Sequence, residues 1–136
     1  MSTLREIVKD RKVYSIDAAR TVLEAARFMM ENNVGALPVL RNGELAGIFS
    51  ERDIMNRVVA AGRQPGYTAV SEVMTANPRA VHLDESVDEC LFLMHEFGFR
   101  HLCIVEGKDL RGLVSLRDIL MHQAGELQRQ TRRAAS

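Results

Sequence analysis

The sequence repeats itself after 65 residues, and this repeat restricts the possible folds more than any other feature. Gly47-Ile-Phe-Ser-Glu-Arg-Asp-Ile54 returns as Gly112-Leu-Val-Ser-Leu-Arg-Asp-Ile119. The same offset holds without a gap from the pair 12/77 to the pair 56/121, and 11 of these 45 pairs are identical. A repeat of this length is one supersecondary unit that needs a neighbour to bury its apolar face. We therefore expect two similar units packed into one body.

Both units have the same predicted order of elements, β-α-β-β-α. The strands fall at residues 13–16, 36–40 and 45–49, and again at 79–83, 101–105 and 110–114. Thr21-Val-Leu-Glu24 and Ser86-Val-Asp-Glu89 have the spacing of capping boxes, and each opens an amphipathic helix. Second helices are predicted over 51–61 and 116–129. The sequence thus predicts an α/β (α+β) fold of two repeats packed sheet to sheet with pseudo-twofold symmetry.

A link containing Gly62, Pro65 and Gly66 divides the repeats. We predict a first repeat over residues 1–63 and a second repeat, with a C-terminal helix and tail, over 64–136. Residues 130–136 have no apolar stripe. We expect them to fray, or to extend the last helix only through contact with a neighbour.

Charge and hydropathy exclude several classes of protein. The 18 basic and 18 acidic residues balance, which gives no support to a nucleic-acid-binding surface. No apolar stretch approaches the roughly 20 residues of a membrane-spanning helix, and the first ten residues lack the apolar core of a signal peptide. We predict a cytoplasmic protein with no nucleic-acid or membrane partner.

The residues that carry most enzyme chemistry are not arranged for it. Cys90 and Cys103 are predicted to be small buried hydrophobes in a reducing compartment. The four histidines have no ligand spacing with the cysteines, so no metal site is predicted. There is no P-loop, dinucleotide fingerprint or nucleophilic triad pattern. We therefore predict no catalytic residues and no catalytic cofactor.

The repeated Ser-Xaa-Arg-Asp, at Ser50, Arg52, Asp53 and at Ser115, Arg117, Asp118, admits two interpretations. The serines are suited to cap the following helices, with the aspartates favourable near the helix N-terminus. The same strand-to-helix turn offers N–H groups, a hydroxyl and a guanidinium to a phosphate, and a carboxylate to a ribose diol. The recurrence does not decide between these, because an ancestral cap would also recur.

The doubled Gly-h-h-Ser-x-Arg-Asp-Ile, in which h is an apolar residue, has Ala36-Leu-Pro-Val39 upstream in one copy and Arg100-His-Leu-Cys-Ile104 in the other. In this it resembles the cystathionine β-synthase (CBS) domain family, over residues 3–123. The chain looks like a stand-alone bacterial-type CBS-domain pair. The resemblance implies a regulatory module that binds an adenosyl ligand in clefts between the repeats.

The resemblance also implies the binding residues. Asp53 and Asp118 would bind ribose, Ser50 and Ser115 phosphate or ribose, and Arg52 and Arg117 phosphate. The adenine and cleft walls would involve Tyr14, Ser15, Ile16, Ala36, Leu37, Pro38, Ala80, Val81, Arg100, His101 and Leu102. Cys103 stands where the family commonly has Pro, which matches Pro38, and we expect it to loosen the local backbone. Two sites of unequal affinity, or one empty site, would be consistent with this departure.

Three functions follow from these residues. The leading one is a regulatory protein that binds AMP, ADP or ATP first, NAD(H) second and S-adenosylmethionine third. The second is a scaffold that binds no small molecule and acts by dimerisation, and an enzyme is the third. The resemblance further implies a homodimer, with Met29, Met55 and Met121 as candidate interface residues, and a regulated protein that the sequence does not name.

Overall fold

The computed structural model describes residues 2–135 of the chain. The strands are β1 (Ile16–Asp17), β2 (Ala36–Arg41), β3 (Glu44–Ser50), β4 (Thr75–Ala76), β5 (Ala80–His82), β6 (His101–Glu106) and β7 (Asp109–Ser115). The α-helices are α1 (Leu4–Val8), α2 (Val22–Asn32), α3 (Glu51–Asp53), α4 (Val70–Val73), α5 (Val87–Phe97) and α6 (Leu116–Ala135). The six predicted strands all form, each within a few residues of its expected position.

The helices that open each repeat begin and end in the same way. Thr21 and Glu24 form the predicted capping box, and the Ser86 hydroxyl accepts from the Glu89 N–H at 3.0 Å. At the other end, Asn33 and Gly98 both adopt a left-handed conformation. These two residues lie 65 positions apart, so the same local chemistry sets the length of both helices.

The strands form two sheets, in the orders β1-β2-β3-β4 and β5-β6-β7. Their registers repeat at the offset found in the sequence, because Ala36 pairs with Ser50 where His101 pairs with Ser115. A register shift follows Val39 in one hairpin, and the equivalent shift follows Ile104 in the other. The sequence repeat is therefore a repeat of backbone pairing and not only of composition.

The two hydrophobic cores exchange short helices across the repeats. Leu4 and Val8 of α1 pack into the core of the second repeat, and the Leu4 N–H donates to the Glu85 carbonyl at 3.0 Å. In return, Val70 and Val73 of α4 pack into the core of the first repeat, and β4 pairs with β3. Packing thus crosses the predicted division at residue 63 in both directions, and that division remains a prediction.

The sheets face each other on the sides opposite their helices. Leu37 and Val39 point into the core of the first repeat, whereas Pro38 between them is fully buried outside both cores. Cys103 is buried in the same way in the second repeat, and β3 contacts β7. Because successive strand residues point to opposite faces, each sheet presents one face to its helices and the other to its partner. The fold is the mixed α/β arrangement predicted from the sequence.

Two predicted helices and one candidate interface residue need correction. The helix predicted over 51–61 is α-helical only to Asp53, and its hydrogen bonds then follow a π pattern over Ile54–Val59. The last helix continues to Ala135 instead of fraying after residue 129, while Ser136 lies outside the described residues. Gln, Arg and Ala have high helix propensity, and no Gly or Pro interrupts residues 126–135. Met29, a candidate interface residue, lies in the first core and is 5% exposed.

Among the described residues, the apolar content of the helices is too low or their length too short for any to span a bilayer.

Candidate functional site

A cavity of about 620 Å³ lies between the two repeats. Its walls are Arg11, Lys12, Tyr14, Asn33, Val34, Gly35, Ala36, Pro38 and Glu51 from the first repeat, with His101, Leu113, Ser115, Arg117 and Asp118 from the second. The volume falls within the range of small-molecule sites, about 300–1,000 Å³. One cavity therefore brings the second Ser-Xaa-Arg-Asp together with the first strand region of the other repeat.

Asp118 is the centre of the polar side of this cavity. Its Oδ2 accepts the Ser115 N–H at 2.8 Å, and its own N–H donates to the Ser115 hydroxyl oxygen at 3.0 Å. Its Oδ1 accepts a hydrogen bond from the Arg11 guanidinium at 3.1 Å. The capping interpretation is thus correct for Oδ2 and the hydroxyl, while Oδ1 is bound only by a side chain from the other repeat among the contacts described.

The charges around Asp118 set its protonation state. Burial by itself would raise the pKa of this carboxyl, but hydrogen bonds from Arg11 and Ser115 outweigh it and lower the pKa below its ordinary value. Burial also lowers the pKa of His101, although Asp118 and Glu51 act in the opposite direction. At neutral pH the cavity therefore holds an ionised Asp118 and a neutral His101.

The other wall of the cavity is built around Tyr14 and Pro38. The Tyr14 ring packs edge-on against Phe28, with centroids 5.9 Å apart, which holds the ring in place. At the equivalent position of the second repeat, the Cys103 N–H donates to the Arg79 carbonyl at 3.2 Å. Pro38 has no N–H, so the Tyr14 carbonyl receives no such bond. Cys103 therefore makes a backbone hydrogen bond that Pro38 cannot make, and the predicted loosening of the backbone stays a prediction.

A second cavity, of about 410 Å³, occupies the related position on the other side of the sheets. It is lined by Ile48, Thr75, Asn77, Pro78, Arg79, Ala80, Phe99 and His101. Asn77 and Arg79 stand 65 positions after Lys12 and Tyr14, so the two cavities are counterparts. The second contains neither Ser50, Arg52 nor Asp53 in its walls. The predicted pair of sites is thus unequal in shape and in composition.

The first Ser-Xaa-Arg-Asp acts as a helix cap in this structure. The Asp53 Oδ2 accepts both the Ser50 N–H, at 2.9 Å, and the Ser50 hydroxyl, at 3.1 Å. Its Oδ1 lies 3.6 Å from Nε of Arg57 on the same helical segment. The Asp53 side chain is 13% exposed, against 26% for Asp118. Arg52 is exposed and borders neither cavity.

The structure divides the remaining predicted site residues into three groups. Tyr14, Ala36, Pro38 and His101 line the first cavity, and Ala80 and His101 line the second. The side chains of Leu37, Leu102 and Val81 belong instead to the two cores, because strand residues alternate between faces. Ser15 and Ile16 border a separate depression beside α2, and Arg100 lies in a shallow one beside Leu120.

Arg11 and Lys12 are cavity residues that the sequence interpretation missed. They precede β1, outside the repeated motifs, and the segment after α1 carries them to the other repeat. Glu51 was also missed, and it lies beside Gly35, where an added Cβ would be 3.2 Å from Oε1 of Glu51. One feature of the sequence could have indicated Arg11 and Lys12. At the 65-residue offset these two cations align with the uncharged Ala76 and Asn77, which marks a difference between the repeats.

The two cysteines, and a cluster of one histidine and two glutamates, are not part of these cavity walls. Burial raises the pKa of the Cys90 and Cys103 thiols to about 12 in each case, so both are unreactive buried side chains as predicted. Glu6 of α1 lies close to His122 and Glu126 of α6, and one carboxylate oxygen or ring nitrogen of each lies within 4.8 Å of the others. Arg129 already binds Glu126 at 2.6 Å. His122 of the second repeat corresponds to Arg57 of the first at the repeat offset. The Arg57 guanidinium donates hydrogen bonds to the carbonyls at the end of α4.

Comparison with known proteins agrees with this architecture. The family model for the CBS domain matches residues 4–60 and again 70–125. The CBS domain-containing protein YhcV of Bacillus subtilis is 36% identical over 123 residues, which are 90% of this chain and 86% of YhcV. A protein with CBS domains from Burkholderia ambifaria MC40-6 superimposes with a TM-score of 0.82 at 37% identity, covering 88% of this chain and 91% of that one.

The fold is also shared at lower sequence identity. The CBS domain pair of protein MJ0100, solved in complex with 5′-methylthioadenosine and S-adenosyl-L-methionine, is 23% identical to this chain. It has a TM-score of 0.82 and covers 93% of this chain and 98% of that one. Both repeats match the same family model, and the exchanged helices join the two repeats into one body. The chain therefore belongs to the CBS-domain family and carries two CBS domains in tandem.

Proposed function

We propose that this CBS pair is a regulatory module that binds an adenine nucleotide in the cavity between its repeats. The observation that carries the proposal is the meeting of Arg11, Lys12 and Tyr14 with Ser115, Arg117 and Asp118 around one space. No single repeat contains all of these groups. A ligand there touches both repeats, so its binding depends on their relative arrangement.

The chemistry of the walls suits the three parts of a nucleotide. Tyr14 with Val34 offers an apolar surface for a planar base, and the Tyr14 carbonyl can accept from an exocyclic amine. Asp118 can accept hydrogen bonds from a ribose diol, as acidic residues do in dinucleotide sites. Arginine and lysine bind phosphate oxygens. AMP, ADP and ATP are the first ligands to test, followed by NAD(H).

S-adenosylmethionine is the third candidate. The adenosyl compounds bound by MJ0100 belong to that protein, whose 23% identity supports a shared fold. In this chain, the cations of the cavity disfavour a ligand with a positively charged sulfonium.

The regulatory step would be a shift between two arrangements of the repeats. A ligand changes a conformational equilibrium only by its difference in affinity for the two states. Asp118 lies in the first turn of α6, which runs to Ala135. A ligand held by Asp118 can therefore bias the orientation of this helix and of whatever protein contacts it. The proposal includes a cytoplasmic location, a regulated partner of unknown identity and no catalytic activity.

A scaffold without a ligand is the second candidate, and one observation favours it. Met55 on the first repeat and Met121 on the second are 57% and 64% exposed, on the helical segments that follow the two Ser-Xaa-Arg-Asp motifs. Large exposed apolar side chains on the corresponding helical segments of the two repeats suit a homodimer interface. Both candidates include this dimer, and they differ in whether a nucleotide stabilises the protein.

Thermal unfolding with a ligand panel tests the proposal. A ligand at 100 times its Kd stabilises the folded state by about 2.7 kcal/mol, so AMP, ADP, ATP or NADH should raise the Tm. Mass spectrometry of the denatured protein would identify any compound that co-purifies. A panel that leaves the Tm unchanged, with no bound nucleotide, would reject the regulatory module in favour of the scaffold. Incubation with ATP or NAD should yield no product, and turnover would contradict the proposed absence of catalysis.

A further inference from the structure

We infer that Arg11 determines which ligands this protein accepts, by pairing with Asp118 in the free protein and with a phosphate in the bound one. This makes the cavity at Arg11 selective for phosphorylated adenosines, and it leaves the second cavity without a phosphate site. The inference rests on the proposed adenine-ligand site and adds its ligand class and its location.

The first step is the state of Asp118 without ligand. Its Oδ2 already accepts the Ser115 N–H at 2.8 Å, so Oδ1 is the oxygen that turns toward the cavity partner and is the better acceptor for a ribose diol. Oδ1 is bound by the Arg11 guanidinium at 3.1 Å. A diol that binds Oδ1 therefore displaces or shares this guanidinium.

The second step is what displacing Arg11 costs for each class of ligand. An unphosphorylated adenosine takes Oδ1 and leaves the guanidinium without its anionic partner. A phosphorylated adenosine brings a new anion, to which Arg11 can transfer its hydrogen bonds in the bidentate geometry that guanidinium groups favour. Arg11 thus opposes binding of the first class and promotes binding of the second.

The third step is the charge around the same space. Lys12 and Arg117 also line the cavity, which gives three cations against the two carboxylates Asp118 and Glu51. The Arg11 side chain is 45% exposed and comes from the segment between α1 and β1, so it has solvent and room to turn. Arg11 lies beside Asp118, and Lys12 and Arg117 line the same space, so the cavity can offer cations to the phosphates of a ligand whose ribose binds Asp118.

The fourth step is the second cavity, which lacks these features. Ala76 and Asn77, which align with Arg11 and Lys12 at the repeat offset, are both uncharged. Its cation, Arg79, aligns with the base-facing Tyr14, and its guanidinium carbon lies 5.9 Å from the Phe97 ring centroid. Its backbone acceptor, the Arg79 carbonyl, is bound by the Cys103 N–H. Asp53, capped by Ser50, does not border this cavity.

Calorimetric titration of the full chain with adenosine and with ATP tests the inference. The unmodified protein should bind ATP more tightly than adenosine, at one ATP per chain. Arg11→Ala should weaken ATP binding about tenfold, which corresponds to about 1.4 kcal/mol, and should strengthen adenosine binding because Oδ1 is released. Arg11→Lys should keep a preference for ATP, since the charge remains. Arg111→Ala removes an exposed arginine paired with Glu106 away from the cavity and should change neither affinity.

The opposite changes for the two ligands separate selectivity from a structural role. If Arg11→Ala weakens ATP and adenosine equally, or affects neither, the inference is wrong. Two equivalent ATP sites per chain would also overturn it. Tripolyphosphate, titrated alone, separates this inference from the proposed function. If it binds in a way that depends on Arg11 while no adenine compound binds, the cation site stands and the adenine-nucleotide function fails. If neither tripolyphosphate nor ATP binds, the inference fails too.

Discussion

At the scale of single residues, the two aspartates of the repeated motif occupy different environments. Both accept hydrogen bonds from the serine three positions earlier, and both start a helix. Asp53 turns its second oxygen toward Arg57 on its own helical segment, whereas Asp118 turns its second oxygen toward Arg11 of the other repeat. Identical motifs thus give a cap whose carboxylate pairs within its own repeat in one case, and a cap whose carboxylate pairs with the other repeat at the cavity in the other.

Alanine substitution should separate these two aspartates. Asp118→Ala removes a charged acceptor for the ribose, and such a bond is worth about 1.5–3 kcal/mol, so nucleotide affinity should fall about 10- to 100-fold. Asp53→Ala should cost about 1 kcal/mol of stability as a lost cap, with little change in affinity. Calorimetric titration with AMP, ATP and NADH, together with denaturant unfolding, measures both effects. Unchanged nucleotide binding by Asp118→Ala would show that Asp118 is only a cap.

The pair of Arg11 and Asp118 should also make stability depend on pH. The pKa of Asp118 is lower in the folded state than in the unfolded chain. The unfolded state therefore binds more protons in this range, and the stabilisation is present above the unfolded pKa, near 4. It is lost as the pH falls through the folded pKa. Both side chains are partly exposed, which limits the effect to about 0.5 kcal/mol.

Urea unfolding between pH 3 and pH 7 checks this dependence, and the stabilisation should begin to fall once the pH drops below about 4, the pKa of the unfolded carboxyl. Arg11→Ala should be less stable than the unmodified protein at pH 7, and the difference should shrink toward pH 3. Arg111→Ala serves as the matched exposed-arginine control. A difference for Arg11→Ala that stays constant over the whole range would contradict a role for the Asp118 charge.

At the scale of elements, the exchange of short helices explains how two small units become one body. α1 completes the core of the second repeat, and α4 with β4 completes the first. The approach of β4 to β3 is close. A Cβ added at Gly47 would lie 2.8 Å from the Thr75 carbonyl oxygen and 2.5 Å from Sδ of Met74. Gly47 is therefore required because a side chain would not fit against β4. Its backbone conformation does not require glycine, since its φ is not positive.

Two glycine-to-alanine changes should have opposite signs for this reason. Gly47→Ala forces β4 away from β3 and should lower stability by about 1–3 kcal/mol, the usual cost of overpacking. Gly125→Ala lies inside α6, where the nearest atom to an added Cβ is 3.7 Å away on the Arg129 side chain. It should raise stability by up to about 1 kcal/mol through helix propensity. Denaturant unfolding of both variants provides the measurement, and equal stabilities would contradict the close approach of β4.

At the scale of the whole molecule, the helical faces remain available after the two sheets have packed. Met55 and Met121 occupy nearly corresponding positions after the two motifs, and both are exposed. A twofold dimer would bury each against a second copy of the chain. These uncovered surfaces support the proposed homodimer, which remains a prediction.

Charge introduced at this surface tests the dimer. The unmodified protein should have the mass of a dimer by light scattering at micromolar concentration. The double variant Met55→Glu, Met121→Glu should be a folded monomer, because a buried unpaired carboxylate is costly. Met30→Glu changes an exposed methionine of α2 and should leave the dimer intact. A monomeric parent, or a double variant that stays dimeric, would contradict this interface.

The sequence by itself determined the repeat and much of the local structure that recurs with it. The hairpin registers, the register shifts after Val39 and Ile104, and the helix ends at Asn33 and Gly98 recur at the offset of the sequence repeat. These features depend on residues close together in the chain, such as caps, turns and alternating apolar positions. Local patterns therefore carried enough information to predict the two β-α-β-β-α units and the helix-starting serines.

Only the tertiary structure decided which repeat supplies each side of the cavity. The exchange of α1 brings Arg11 to Asp118, although 106 intervening residues separate them. The replacement of Pro38 by Cys103 matters because each position faces a backbone carbonyl of the neighbouring chain segment. Cys103 donates its N–H to that carbonyl, and Pro38 has no N–H to donate. Contacts of this kind depend on how two finished units pack against each other. No local periodicity encodes that arrangement, so equal motifs in the sequence became unequal sites in the fold.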